Sequence, residues 1–189
     1  SVSSSLLCGT MEEGERGSSM NVLDAVRGRR SIRNFRKEEI PDNVRHQLIE
    51  ALLWAPSAGN LQSRKFYLVH DEGVKKALAE AALCQTFIRE APLVVVGCAD
   101  GRIAQRYDRR GVELYRIQDV SCSIMCMMLV AHELGLGSVW VGAFYEEDVS
   151  RILELPAHLR PVAIVPVGWP EKIPSAPSRV TPEEAVVRV

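Results

Sequence analysis

The chain is short of net charge, of aromatic residues and of long uncharged runs, and each shortage closes off a class of function. Its formal net charge is −1 over 189 residues, so it lacks the overall basic excess that nucleic-acid and membrane-surface binders carry. Aromatic residues make up 6% of it and are not interleaved with the basic residues, as a single-strand binder's stacking platform would be. The longest uncharged stretch, Val120 to Ala131, falls short of the roughly 20 apolar residues needed to cross a bilayer. No basic segment followed by a long apolar one opens the chain. A soluble protein with no nucleic-acid and no membrane partner is expected.

Catalytic and metal motifs are scarce as well. The five cysteines (Cys8, Cys84, Cys98, Cys122 and Cys126) are odd in number and scattered, which argues against a disulfide framework and for a reducing, cytoplasmic location. Cys122 and Cys126 lie one helical turn apart among methionines, but two soft ligands without a third make a poor metal site. Core packing is expected of them, and no metal. His132-Glu133 begins the pattern H-E-x-x-H, yet Leu136 occupies the second histidine position, so a zinc protease site is absent and His132 is expected on a helix surface. His46, His70 and His158 have no nucleophile setting beside them. Gly135, Gly137 and Gly142 do not have the G-x-G-x-x-G spacing, and they follow a helix and precede a strand, the reverse of a dinucleotide-binding fold.

What the chain does have is a 47% hydrophobic composition, enough for one substantial core in a single domain. Residues 1–20 are Ser/Gly/Glu-rich and aperiodic; they read as a disordered tail, a cloning remnant or a start-site extension, leaving 21–189 as the domain. Val22, Leu23 and Val26 mark a short helix ending at Gly28. Val44, Leu48, Ile49, Leu52 and Leu53 mark a second, opened by Pro41-Asp42 and ended by Pro56. Strands are expected at Phe66–His70, Leu93–Cys98, Ser138–Val141 and Val162–Val167, the second of them buried on both faces. A helix from about Val74 to Leu83 separates the first two. The charged stretch from Asp100 to Arg116 reads as a surface helix or lid. The helix from Asp119 to Leu134 has almost no polar face and must be enclosed all round, which points to a second subunit. Pro170, Pro174 and Pro177 mark an extended C-terminal arm.

Two short segments carry chemistry. Arg29-Arg30-Ser31-Ile32-Arg33 places three guanidinium forks and a hydroxyl in five positions, suited to a dianionic phosphate; a plain helix end favoured by the dipole is the competing reading. Ala55-Pro56-Ser57-Ala58-Gly59-Asn60-Leu61-Gln62 leaves a helix through a turn whose amides offer donors and acceptors to a flat heterocycle. Together they suggest a mononucleotide. Arg179, alone in the C-terminal arm, would add a further cation if the arm folds back.

With Gln118-Asp119 and with Gly135 to Phe144, reading G-L-G-S-V-W-V-G-A-F, these segments resemble the FMN-dependent nitroreductase family, in order and across nearly everything after Met20. The resemblance implies an α+β fold with a central mixed, mostly antiparallel sheet flanked by helices, in an intertwined homodimer with FMN at its interface and the C-terminal arm on the other subunit. By position, Arg29, Arg30, Ser31 and Arg179 would hold the FMN phosphate. Arg33 would approach the N1 edge of the ring, where reduction places negative charge. Pro56, Ser57, Ala58, Asn60 and Gln62 would border the flavin from the other subunit. Trp140, Val141, Gly142 and Ala143 would pass beside it, with the Gly142 N–H facing N5. The implied activity is ping-pong: NADH or NADPH reduces FMN, and a nitroaromatic, quinone or similar electron-poor acceptor is then reduced, with no catalytic side chain required. Specialised relatives that fragment flavin or dehalogenate, and a flavin binder with negligible turnover, are the alternatives. Where the family often has Pro-Trp, this chain has Ser63-Arg64-Lys65, which would suit an anionic acceptor or the NADPH phosphate. The short span from Asp100 to Asp119 leaves little room for a large lid.

Overall fold

The computed structural model describes residues 20–189; Cys8 and the expectation for the N-terminal segment up to Ser19 lie outside the described residues. In chain order the elements are α1 (Val22–Gly28), α2 (Asp42–Trp54), β1 (Arg64–Val69), α3 (Glu72–Ala81), the single turn α4 (Phe87–Glu90), β2 (Leu93–Asp100), α5 (Ala104–Arg110), α6 (Arg116–Glu133), β3 (Gly137–Ser138), α7 (Glu146–Ile152), β4 (Leu159–Gly168) and α8 (Pro182–Ala185). Local chemistry sets several starts. Asn21 caps α1 by accepting from the Asp24 N–H at 3.0 Å, and Asp71 caps α3 by accepting from the Val74 N–H at 2.8 Å, each satisfying a helix-end donor that would otherwise be unpaired.

The four strands form one sheet in the order β1-β2-β4-β3, antiparallel throughout. β2 is central and every one of its residues is buried. Its side chains alternate between two cores, as a period of two requires. Val94, Val96 and Cys98 join Leu78, Ile88 and Val149 from α3, α4 and α7. Leu93, Val95 and Ala99 join Leu48 and Leu52 of α2 and Val120, Ile124 and Met127 of α6. Helices thus cover both faces, the α+β layering expected.

Some boundaries differ from the sequence pattern. β4 extends past Val162–Val167 at both ends and tolerates Pro161 because the register shifts between Gly97 and Cys98 opposite it. β3 is shorter than Ser138–Val141: the chain leaves the sheet after Ser138 and returns at Val141, whose N–H donates to the Ile164 carbonyl at 2.9 Å. Trp140 is thereby left outside the ladder, more than a third exposed at 37%.

The helical run Gly101–Glu133 contains a window long and apolar enough to cross a membrane by composition. Its position explains the composition, because Val120, Ile124, Met127, Met128 and Ala131 are buried against the sheet and α2. One chain alone does not enclose the helix completely. Gln118, Cys122 and Met125 lie on an exposed stripe of α6, so Cys122 is a surface residue and Cys126 is only half-buried.

At Gly97 α6 sits hard against the sheet: a Cβ there would lie 2.7 Å from Ile124 Cδ1 and 2.8 Å from Val120 Cγ1. Gly97→Val is expected to lower unfolding stability by about 1–3 kcal/mol, the usual cost of overpacking, as a shifted denaturant midpoint. An unchanged midpoint would contradict this packing.

Candidate functional site

The arginine segment is fixed from both sides. Gly28 ends α1 where any Cβ would fall 2.5 Å from the imidazole Nε2 of His132. Three residues on, Ser31 bridges Ser138 in parallel, and the buried Ile32 donates its N–H to the Ser138 carbonyl at 3.0 Å. Between these anchors the side chains of Arg29, Arg30, Ser31 and Arg33 line a cavity of about 290 Å³, closed by Pro174, Pro177 and Arg179 of the C-terminal arm. The arm does fold back, and the structure brings together the arginines that the sequence separates by some 150 positions.

These cations are not neutralised internally. Among the described residues, the ion pairs involve none of Arg29, Arg30, Arg33 and Arg179. Burial depresses the Arg29 pKa, and Arg179 and Arg30 depress it further. Arg30 Nη1 donates to the carbonyls of Arg27, Gly28 and Arg29 at 2.6, 3.0 and 2.9 Å, capping the negative end of α1. Arg33 stands over the Phe87 ring at 5.9 Å. Guanidinium groups crowded together and partly withdrawn from water favour a bound anion, and the fork geometry suits a phosphate.

A second cleft of about 290 Å³ opens behind the first and shares Arg29 and Arg30, with Ile32, His132, Leu136 and Ser138 in its lining. His132, expected on a helix surface, is half-buried here; burial first, then Arg29 and Arg30, lower its pKa below the ordinary 6.5. The Ser138 hydroxyl is buried with no hydrogen-bond partner among the described residues.

The amide turn lies elsewhere. Pro56, Ser57, Ala58, Asn60 and Gln62 do not line the arginine cavity. The turn is held in an unusual backbone, with φ positive at Gly59, Asn60 and Gln62 (55°, 57° and 53°). Such conformations persist only where neighbours impose them. Asp119 Oδ1 accepts the Ala58 N–H at 2.9 Å, and Ser57 Oγ accepts the Gln62 N–H at 3.0 Å. Arg64 reaches the carbonyls of Leu53, Ala55 and Pro56 at 3.0, 2.8 and 3.0 Å. This corrects the expectation for Ser63-Arg64-Lys65 in part: Ser63 is buried and the Arg64 guanidinium caps α2, leaving Lys65 exposed. Asp119 Oδ2 is buried without a partner among the described residues. An acid in the first turn of a helix that is apolar beyond it was the signal available for Asp119.

Trp140 to Ala143 follow Ser138, the residue bridged to Ser31, but do not line the arginine cavity. Val141 is buried, while Trp140, Gly142 and Ala143 are exposed. The Ala143 carbonyl accepts from Gln85 Nε2 at 3.3 Å. A Cβ on Gly142 would meet only Trp140, at 3.5 Å, so the backbone there is open to close approach.

A family model described as the nitroreductase family matches residues 26–100 and 82–169. The NADH dehydrogenase of Thermus thermophilus is 34% identical over 88% of this chain and 96% of its own length. The FMN reductase (NAD(P)H) of Bacillus subtilis is 31% identical over 87% of this chain and 72% of its own. The solved structure of the NADPH:FMN oxidoreductase from Vibrio harveyi complexed with NAD+ superposes with a TM-score of 0.82 at 26% identity, covering 88% of this chain and 76% of that one.

The arginine cavity predicts anion-dependent stability. Inorganic phosphate is expected to raise the thermal midpoint, and Arg29→Ala to weaken phosphate binding by about tenfold, the loss of one charge-assisted contact. A midpoint indifferent to phosphate, compared at constant ionic strength, would contradict the site.

Proposed function

The chain belongs to the nitroreductase family, and on that premise we propose that it is an NAD(P)H-dependent oxidoreductase that uses FMN to reduce nitroaromatic, quinone or similar electron-poor acceptors. The observation that carries this is the cavity in which Arg29, Arg30, Ser31, Arg33 and Arg179 converge with no carboxylate partner among the described residues. Arg29, Arg30, Arg179 and the Ser31 hydroxyl suit a phosphate monoester, Arg33 lines the same cavity, and the segment that follows Ser138 leaves its backbone open at Gly142. The residues present therefore fit FMN. When bound, FMN supplies two-electron transfer between a nicotinamide and an acceptor.

The chain's own residues then have distinct tasks. Arg29, Arg30, Ser31 and Arg179 hold the phosphate. Arg33, against Phe87, places a fixed positive charge toward one end of the ring and favours electron-rich states there. The Gly142 N–H and the Val141 and Ala143 backbone border the ring edge, and Trp140 covers it. No side chain need move a proton.

The turn from Pro56 to Gln62 would border the flavin of a second copy, making the protein a homodimer with FMN at its interface. Two features support this. The turn stands away from the cavity of its own chain, and Cys122 and Met125 on α6, with Leu53 and Trp54 at the end of α2, form an exposed apolar surface near it. The arm beyond Arg179, with Val186 and Val187 exposed, would complete the contact. Asp119 and Arg64 serve this arrangement by holding the turn.

The test is the visible spectrum of the protein supplied with FMN, followed by anaerobic addition of NADPH or NADH. Flavin absorbance that bleaches is the expected result; flavin that stays oxidised with both donors would favour a binding role, and no flavin uptake would contradict the proposal. Arg33→Ala is expected to lower the flavin midpoint potential, measured by dye-linked reduction. An unchanged potential would remove Arg33 from its role.

A further inference from the structure

We propose that Arg106 and Arg110 form a recognition site for the 2′-phosphate of NADPH, so that the chain prefers NADPH to NADH. The inference rests on the functional reading above and names the donor for the same site.

The stretch from Asp100 to Arg116 carries five arginines, and the structure sorts them. Arg102 pairs with Asp100 at 2.5 Å, Arg109 with Glu113 at 2.5 Å, and Arg116 Nε donates to the Val112 carbonyl at 2.7 Å. Arg106 and Arg110 are in none of the ion pairs among the described residues and are exposed. Each is held by an aromatic face instead: Arg106 lies 5.8 Å from the Tyr107 ring centroid and Arg110 lies 5.4 Å from that of Tyr115. The two rings meet edge to face at 5.3 Å. Arg110 Nε also donates to the Tyr115 hydroxyl at 2.9 Å. A guanidinium stacked on a ring is oriented without being neutralised, and its edge donors stay free for an oxygen-rich anion.

The backbone is shaped to make this arrangement. α5 breaks at Tyr107 (φ −126°, ψ 16°) and Asp108 (φ 44°, ψ −140°), and a π-helical turn from Gly111 to Tyr115 follows. A positive φ at a non-glycine residue and a π-turn side by side are strained features that concentrate at functional sites. Gly111 permits the fold, since a Cβ there would lie 2.8 Å from Tyr107 Cβ. Asp108 is the one carboxylate in this stretch without an ion pair among the described residues; five arginines against Asp100, Asp108 and Glu113 leave the segment positive.

Tyr107 also ties the cluster to the proposed flavin site. Its hydroxyl occupies the space where a Gly59 Cβ would stand, at 2.4 Å, so it packs directly on the turn from Ser57 to Gln62. Through Tyr107 the arginine pair adjoins the turn proposed to border the flavin, and on that reading the adenosine end of a nicotinamide dinucleotide bound there would meet it. The 2′-phosphate is the group that NADPH has and NADH lacks, and a pair of unpaired, oriented guanidiniums suits a phosphomonoester dianion.

The experiment titrates the FMN-loaded protein with 2′,5′-ADP and with 5′-AMP by calorimetry, and measures anaerobic flavin bleaching by NADPH and by NADH. Wild type is expected to bind 2′,5′-ADP at least about tenfold more tightly than 5′-AMP. Arg106→Ala/Arg110→Ala is expected to abolish that difference and slow bleaching by NADPH while leaving bleaching by NADH unchanged. Equal affinity of wild type for the two probes, or a preference that survives in the double variant, would overturn the inference while flavin binding and bleaching persist. Loss of affinity for both probes alike would place the arginines on the shared 5′-phosphate and overturn the 2′ assignment. Failure to take up FMN would overturn the functional reading and this one with it.

Discussion

Repulsion among guanidinium groups that share one cavity is the constraint on which the rest of this structure depends. Burial lowers the pKa of Arg29, and the neighbouring charges of Arg179 and Arg30 lower it further. A fold tolerates such an arrangement when an anion completes it. Everything around the cavity holds the cations in place: Gly28 against His132, Ile32 under the sheet, the Ser31–Ser138 bridge and the proline-rich arm carrying Arg179. The sheet's rigidity is therefore part of the site. β2, buried along its whole length, fixes β4, and β4 fixes β3 and the Ser138 backbone that anchors the arginine loop.

The same economy appears at the amide turn. The positive φ values at Asn60 and Gln62 are unfavourable alone, and the turn keeps them because Asp119, Ser57 and Arg64 each satisfy a specific backbone group. Because Asp119 lies in the first turn of α6, the helix that closes the core also sets the turn. Core packing and site geometry are thus one mechanical unit, with the exposed stripe of α6 and the exposed apolar end of α2 left for another surface to cover.

Much of the fold was legible because its signals are local or periodic. The helical spacing of Leu48 and Leu52, the Val run of β2 and the glycine that ends α1 each mark one element. The arginine cluster was legible from residue type alone, and the structure adds Arg179 to it as the sequence allowed. Other features depend on contacts between distant segments and have no local signature. His132 reads as a surface residue until Gly28 is packed against it, and Arg64 reads as a pocket-rim cation until it is seen capping α2. α4 is a single turn, and the charged helix α7 buries only Val149, too few apolar positions to show a period. The kink at Tyr107 and Asp108, where Tyr107 also packs on the distant Gly59, has no local signature in the sequence.

The central claim is that the arginine cavity binds the phosphate of a flavin mononucleotide. It is tested most directly by titrating the flavin-free protein with FMN and with riboflavin, which differ only by that phosphate. The account predicts that FMN binds far more tightly, by at least about a hundredfold given several charge-assisted contacts, and that added inorganic phosphate competes with it. Equal affinity for the two flavins would contradict it.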